Sequence, residues 1–425
     1  MNEVLARPID AQVYEYDLAC LPIDKIDVAQ PGLFKLGFAP CYLDRLRRQA
    51  PVHYCPDGLF GAYWSITRYA DIEAVELDPE TFSSDHYNGG ISITSRPDDP
   101  QFFPSFLSMD PPRHTEQRRV IAPAFSPERL DVMGRQFRSW VRDVLDDLPI
   151  GEPFDWVDRV SLELPGRMLA LLLGFPQERA RDLIRWSDAT LALPGSPRFP
   201  TLADKMRVLD EYFAVFSAIW DERVKRPAGD DLISMLASRP ETRDMPRPEI
   251  LGNTMMLMVA GNETTRTSIS ASVIAFDQFP DELEKLRRKP ELIAGLTPEL
   301  ARWQSPVAHM RRTAMRDVMM RGNKISKGDK VIIWYLSGNR DESVFEDADT
   351  FLIDRHNARR HLSFGVGIHR CIGARLADLE IRIVWEEILK RFPRIEVVQP
   401  PVKTFSTFTH GYTELQVRIP ERRAC

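Results

Sequence analysis

The sequence lacks several features that would define its class at once, and each absence narrows the possibilities. Its five cysteines form no Cys-x-x-Cys pair, which is typical of a reducing compartment and argues against a clustered zinc site. No tract of basic and aromatic residues occurs, and the formal net charge is −6, so nucleic acid is not an expected partner. The N-terminus has neither the basic start nor the apolar core of a signal peptide.

Long apolar stretches and linkers are missing too. The longest apolar run, residues 255–261, is far shorter than the roughly 18–20 residues that a membrane span needs. We therefore expect a cytoplasmic protein with no membrane span, and a monomer. No Gly/Ser run, low-complexity tract or repeat divides the chain, so we expect one domain over residues 1–425, with an irregular segment over residues 1–40.

The most informative segment present is Phe364-Gly365-Val366-Gly367-Ile368-His369-Arg370-Cys371-Ile372-Gly373. Its glycines allow a tight loop whose backbone can pass close to a flat ligand. An amphipathic helical pattern follows directly, which places Cys371 at or just before a helix N-terminus. We expect that position to lower the pKa of the thiol and favour the thiolate, the axial ligand that an iron porphyrin needs.

This segment resembles the haem-binding loop of the cytochrome P-450 family, Phe-Gly-x-Gly-x-His-x-Cys-x-Gly, and fills every fixed position. The resemblance implies haem b with Cys371 as its iron ligand and Phe364 and Gly365 against the cofactor. It also implies a mainly α fold with a minor β region. In that fold the haem lies between a long central helix and the helix that follows the cysteine.

A long helical pattern from about Pro248 to Phe279 is apolar on nearly every face in its first half, which predicts a central buried helix. It contains Ala260-Gly261-Asn262-Glu263-Thr264-Thr265. An adjacent acid and alcohol can relay protons, and the family carries the same segment beside the iron. The resemblance therefore makes Thr264 the alcohol of the oxygen pocket and Glu263 the acid. Arg266 lies about 200° around the helix from Thr264 and is expected to stay outside that pocket.

Haem propionates are carboxylates that need cationic partners. Four candidates stand where the family puts them, namely His114, Arg118, Arg312 and His369. Glu299 and Arg302 have the spacing of an intrahelical ion pair, and the family buries this pair behind the haem loop. We assign that pair a structural role.

Three further segments, residues 151–160, 302–312 and 334–341, resemble the bacterial branch of the family that hydroxylates alkanes and fatty acids at the terminal methyl group. The resemblance places an apolar set of residues around the substrate: Ile91, Phe102, Phe103, Leu193, Met258, Val259, Val307, Met310 and Phe408. We therefore expect terminal hydroxylation of a medium-chain alkane or fatty acid. The alternatives are a bulkier substrate such as a terpenoid, or a haem-thiolate protein that inserts no oxygen, such as a peroxygenase or a ligand sensor.

The given sequence ends about fifty residues after Cys371, so we expect no flavin or iron–sulfur domain in this chain. The expected partners are therefore a ferredoxin and its NAD(P)H-dependent reductase, together with O2 and a hydrophobic small molecule. Arg113, Arg119, Arg370 and Arg375 are expected to attract the ferredoxin to the cysteine side of the haem.

Overall fold

The computed structural model describes residues 11–95, 103–193, 196 and 198–423, and α-helices dominate it. The helices are α1 Ala11–Cys20, α2 Pro31–Leu36, α3 Ala39–Gln49, α4 Tyr69–Leu77, α5 Arg113–Ile121, α6 Pro127–Asp146, α7 Glu163–Leu173, α8 Ala180–Leu191, α9 Leu202–Arg223, α10 Leu232–Ser238, α11 Arg247–Gln278, α12 Pro280–Arg288, α13 Ile293–Gln304, α14 Tyr335–Gly338 and α15 Ala374–Arg391. The expected mainly α class is confirmed. Within the described residues, no helix has both the length and the apolar character needed to cross a bilayer.

The strands are short and form a minor β region beside the helices. They are β1 Val52–Cys55, β2 Tyr63–Ile66, β3 Phe82–Ser83, β4 Pro153–Asp155, β5 Met310–Ala314, β6 Val318–Met320, β7 Asn323–Ile325, β8 Lys330–Ile333, β9 Glu396–Val397, β10 Val402–Lys403, β11 Tyr412–Glu414 and β12 Gln416–Arg418. One sheet has the order β1-β2-β8-β5-β3, and the others are β4-β12-β9, β10-β11 and β6-β7. In the first sheet β2 and β8 are parallel, and the other neighbours are antiparallel.

The long central helix is α11, which differs by one residue at each end from the expected Pro248–Phe279. Most of its length is buried, and it packs against α7, α8, α13 and α15. Cross-helix hydrogen bonds fix its position, from Ser270 Oγ to Ser161 Oγ at 2.9 Å and from the Trp385 indole to Ser272 Oγ at 2.7 Å. These contacts fix the position of the helix, so side chains at neighbouring positions along it point in defined directions to different parts of the molecule.

One expectation about local structure is wrong. The segment 1–40 is not irregular throughout, because α1 and α2 lie in it, and its first ten residues are outside the described residues. Helix α13 contains Pro298, although a proline inside a helix removes a hydrogen bond to the carbonyl four residues earlier. That carbonyl, on Ala294, accepts a hydrogen bond from Arg359 Nη2 at 3.2 Å instead.

Candidate active site

The loop that carries Cys371 is folded by two glycines in the left-handed region and by one cross-loop hydrogen bond. Gly365 and Gly367 have φ values of 67° and 68°, which other residues rarely adopt. The Cys371 amide donates to the Phe364 carbonyl at 2.7 Å. Helix α15 begins at Ala374, three residues later, so the predicted position of the cysteine just before a helix N-terminus is confirmed.

The pKa of the Cys371 thiol is raised, whereas the sequence predicts a lowered value. Burial raises its pKa, and the backbone N–H groups of Gly373 and Ala374 with the cations of Arg118 and Arg370 offset this effect only in part. The residue nevertheless keeps a solvent-exposed surface. The prediction of a lowered pKa is therefore wrong for the polypeptide alone, because desolvation outweighs the helix terminus. A metal ion held at this position would deprotonate a coordinating thiol and would supply the positive charge that the polypeptide lacks there.

A buried carboxylate that the sequence analysis missed supports this loop. Glu76 in α4 is 4% exposed, and its Oε2 accepts a hydrogen bond from the Val366 amide at 2.9 Å. Its Oε1 accepts from Arg312 Nη2 at 3.3 Å and from the Tyr335 hydroxyl. A side-chain carbon on Gly367 would lie 2.7 Å from the Glu76 carbonyl oxygen, so only glycine fits there. No motif marks Glu76, because its partners are more than 200 positions away in the sequence.

A second support is the Glu299–Arg302 pair, which is fully buried and bidentate with two distances of 2.7 Å. Arg302 Nη1 also donates to the carbonyls of Asn339 and Ala348, at 3.1 and 2.6 Å. The Asn339 side chain then accepts from the Leu362 amide and donates to Ser363 Oγ, both at 2.7 Å. The structure thus connects the pair, through Asn339, to the start of the cysteine loop.

The four residues expected to bind haem propionates lie close together. The His114 and His369 rings are 4.3 Å apart, and the Arg118 guanidinium donates to the Arg370 carbonyl at 2.5 Å. Burial, with nearby positive charge, lowers the pKa of His114 to about 4 and that of His369 to about 2. Arg312 of β5 is 4% exposed, and its positive charge is one of those that lower the pKa of His369.

This cluster suits two carboxylates. All four ring nitrogens of the two histidines are buried and have no hydrogen-bond partner among the described residues. Buried polar atoms normally have partners, so these nitrogens indicate that a ligand belongs beside them. The lowered pKa values are those of neutral imidazoles surrounded by cations, a situation that a pair of carboxylates would relieve. The residues present therefore fit haem.

On α11, Thr264 and Glu263 point to different environments. The Thr264 hydroxyl donates to the Ala260 carbonyl at 3.0 Å, the bond expected for a threonine inside a helix. Glu263 is 3% exposed, and its Oε2 forms an ion pair with Arg266. Arg266 Nη1 also donates to Asp188 Oδ1 of α8 at 3.0 Å, and Asp188 pairs with the half-exposed Arg198. The chain of charges Glu263–Arg266–Asp188–Arg198 thus leads from the long helix to the surface.

The expectation that Arg266 stays away from the site needs a correction. Its backbone position is on another face of α11, but residues three apart on a helix are neighbours and arginine is long. The side chain therefore reaches back to the carboxylate of Glu263. The other oxygen of that carboxylate, Oε1, is buried and has no partner within the described part of the chain.

Several of the expected pocket residues lie in three segments that contact one another. The Arg311 amide donates to the Ile91 carbonyl, and the Ala308 amide donates to the Phe408 carbonyl, both at 2.8 Å. Residues 307 and 409 also form an isolated β-bridge. These contacts bring Ile91, Val307, Met310 and Phe408 to one region.

The remaining expected pocket residues are placed less uniformly. Phe103 packs its ring against Phe213 of α9 at 4.8 Å, and a side-chain carbon on Gly252 would lie 2.8 Å from the Phe103 carbonyl carbon. The next turn of this loop is fixed by the Phe106 amide, which donates to Asn253 Oδ1 at 2.8 Å. Leu193 and Val259 are buried, and Met258 is completely buried in the main hydrophobic core. A wall position for Met258 stays a prediction, and Phe102 lies outside the described residues.

Comparisons with known proteins agree with this geometry. A sequence model of the cytochrome P-450 family matches residues 291–413. The chain is 37% identical over 406 residues to linalool 8-monooxygenase of Pseudomonas putida. This alignment covers 93% of this chain and 99% of that relative. It is 31% identical to the methyl-branched lipid omega-hydroxylase of Mycobacterium tuberculosis, over 88% of this chain and 89% of the relative.

Solved structures extend the comparison to three dimensions. Cytochrome P-450-153 from Novosphingobium aromaticivorans is 41% identical with a TM-score of 0.85, over 92% of this chain and 98% of that one. CYP153D17 from a Sphingomonas species is also 41% identical, with a TM-score of 0.86, over 95% of this chain and 100% of that one.

Proposed function

Because this chain belongs to the cytochrome P-450 family, we propose that it hydroxylates the terminal methyl group of medium-chain linear alkanes or fatty acids. It is a haem-thiolate monooxygenase, an enzyme that incorporates oxygen from O2 into its substrate. When bound, the haem supplies the activation of dioxygen. The roles of individual residues and the identity of the substrate are the content of the proposal.

Binding of the cofactor falls to the loop and the cationic cluster. Cys371 Sγ would ligate the iron, and Phe364 and Gly365 would contact the porphyrin. The cluster of His114, Arg118, Arg312 and His369 would bind the propionates, and the ring nitrogens of its histidines, which have no partner among the described residues, support this assignment. Arg312 already has a carboxylate partner in Glu76, so a propionate would share this arginine with a buried anion.

Proton supply falls to Thr264 and Glu263. The Thr264 hydroxyl donates to the Ala260 carbonyl, and it is the alcohol that the family segment assigns to the oxygen pocket. Glu263 uses Oε2 for its ion pair with Arg266. Its Oε1 has no partner among the described residues and is therefore free to exchange protons. Arg266 also binds Asp188 of α8. A shift of α8 would therefore move the cation that neutralises Glu263.

The substrate assignment depends most on one observation, the convergence of apolar residues from three segments. Ile91, Val307, Met310 and Phe408 come together through the backbone bonds between their segments. Burial of each substrate CH₂ is worth about 0.8 kcal/mol, so affinity should rise about fourfold per carbon until the pocket is full. A relative named as a lipid omega-hydroxylase supports terminal attack. The relative named for linalool favours a second candidate, a terpenoid alcohol.

Electron delivery is proposed to come from a ferredoxin and an NAD(P)H-dependent reductase. Arg119, Arg370 and Arg375 are exposed and available for docking. Arg113 is half-exposed but already paired with Glu249, so its charge is partly neutralised. We therefore expect Arg370→Glu to slow reduction more than Arg113→Glu at low salt, where exposed charges are least screened.

The proposal is tested by product analysis. The carbon monoxide complex of the reduced protein establishes thiolate ligation, and n-octane, dodecanoic acid and a bulky cyclic terpene are then compared as substrates. We expect terminal alcohols from the linear compounds. Mainly internal alcohols, or a preference for the cyclic terpene over both linear probes, would contradict the assignment.

A pair of variants locates the pocket. Met310→Trp should shorten the longest chain that is accepted, because Met310 lies where the three segments meet. Met319→Trp is the matched control, since Met319 is 66% exposed on β6. An unchanged chain-length profile in Met310→Trp would remove this residue from the pocket wall.

A further inference from the structure

One buried histidine has no role in the function described so far, although it lies among the apolar residues proposed to surround the substrate. His309 is 0% exposed and stands directly before β5, between Ala308 and Met310. Its ring packs 4.9 Å from the Trp334 ring and meets the Phe408 ring at 5.5 Å with an interplanar angle of 90°. A polar ring in such a place needs hydrogen bonds that compensate its burial.

Both ring nitrogens of His309 have a backbone partner. Nδ1 lies 3.0 Å from the Thr407 carbonyl oxygen, and the Ile93 amide points at Nε2 from 3.4 Å. A carbonyl oxygen only accepts, so Nδ1 carries the proton and Nε2 is the acceptor. Burial lowers the pKa of His309 to about 4, so the ring is neutral near pH 7 and keeps this tautomer.

These partners belong to different segments of the chain. Ile93 is in the segment with Ile91, and Thr407 precedes Phe408, while His309 itself lies between Val307 and Met310. In the described part of the chain, each backbone bond between these segments joins two of them, as from the Arg311 amide to the Ile91 carbonyl and from the Ala308 amide to the Phe408 carbonyl. The imidazole of His309 bonds to both of the other segments at once.

We propose that His309 is a positioning residue that sets the distance between the three wall segments and thereby selects the substrate carbon that is oxidised. The inference rests on the proposed function in one respect, that these segments line the substrate pocket. If the imidazole is replaced by a group without hydrogen bonds, the segments at residues 93 and 407 can separate. A wider pocket then admits internal C–H bonds, which are weaker than those of a terminal methyl group.

Two substitutions and one control test the inference. His309→Phe keeps a planar ring and removes both hydrogen bonds. His309→Asn places an amide near the position of Nδ1, so it can keep the Thr407 bond but does not reach Ile93. His53→Phe is the control, because His53 is also buried but lies in β1, which β2 and β8 separate from β5.

The measurements are the carbon monoxide spectrum, the dissociation constant of dodecanoic acid from its spin-state titration, and the ratio of terminal to internal alcohols. For His309→Phe we expect an unchanged thiolate spectrum, with affinity and product ratio each reduced about threefold to tenfold, the scale of one or two lost hydrogen bonds. His309→Asn should fall between this variant and the parent. His53→Phe should match the parent.

A product ratio and dissociation constant like those of the parent in His309→Phe would overturn the inference. If His309→Phe fails to bind haem, His309→Asn is the deciding variant. A ratio of terminal to internal alcohols in His309→Asn equal to that of the parent would then contradict the inference. If the parent forms no terminal alcohol from any linear probe, the substrate proposal fails independently. The product distribution from whichever probe the parent oxidises then tests His309 by itself.

Discussion

Removal of the Arg266 guanidinium should damage both stability and the use of electrons. Arg266 is 8% exposed and lies between two carboxylates, on Glu263 and Asp188, whose side chains are 4% and 11% exposed. Arg266→Met keeps much of the volume and eliminates the cation. Among the described residues, the buried Glu263 then has no ion-pair partner, while Asp188 keeps Arg198.

The magnitude follows from this asymmetry. Removal of one member of a buried ion pair costs about 3–5 kcal/mol because the other charge stays buried. We expect about 3 kcal/mol for Arg266→Met, since only one carboxylate loses all its positive charge. Asp188→Asn should cost about 1 kcal/mol, because Arg266 keeps Glu263 and asparagine keeps an acceptor. The double variant Glu263→Gln/Arg266→Met should recover part of the loss, because it removes the buried charge as well.

The assay is urea unfolding of the haem-bound protein, followed by Soret absorbance, together with the peroxide formed per NAD(P)H. Arg266→Met also removes the ion pair that holds the Glu263 side chain in place beside Thr264, so coupling to product should fall. Arg185→Met is the matched control, since Arg185 of α8 forms partly exposed ion pairs with Glu211 of α9 and with Asp182, and each such pair should contribute under about 1 kcal/mol. Equal stability and equal coupling in the Arg266→Met and Arg185→Met variants would refute the reasoning.

Three further outcomes are expected. Cys371→Ser should abolish the red-shifted thiolate band of the reduced carbon monoxide complex, and survival of the band would show that another group is the ligand. Glu76→Leu leaves the Val366 amide and Arg312 without their acceptor, so haem should pass to apomyoglobin faster than from the parent, and equal transfer rates would contradict this role. Burial alone would raise the pKa of Glu387, but surrounding Lys and Arg side chains lower it to about 2. Its stabilising effect is therefore complete above about pH 4.5 and is lost as the pH falls towards 2, and the urea midpoint of Glu387→Gln should vary less with pH over this range than that of the parent.

The sequence was informative where function depends on short, contiguous patterns. The loop at Cys371 and the segment at Thr264 each lie within about ten residues, and the structure places them at a helix N-terminus and within α11 as predicted. The Glu299–Arg302 pair was equally readable, because its spacing is local. Contacts between side chains in such local patterns can be predicted once the helix boundaries are predicted correctly.

The rest depends on contacts that no local pattern encodes. Glu76 meets Val366 and Arg312 only after the chain folds, and the pKa of Cys371 depends on how much protein surrounds the thiol. Arg266 shows a different limit, because helical periodicity gives the angular position of its backbone but not the reach of its long side chain. His309 offered a weak signal, a single histidine among apolar residues, which alone favours a core position.

The contact between α11 and the loop at Phe103 has a consequence for attempts to redesign this enzyme. A side chain at position 252 would collide with the Phe103 backbone, and the Asn253 side chain anchors Phe106. Mutant libraries that vary residues 103–106 while residues 252 and 253 stay constant therefore search a loop that is already fastened at both of these points. Libraries that diversify both segments together should yield more variants with altered substrate range, because each loop shape requires its own matching helix surface.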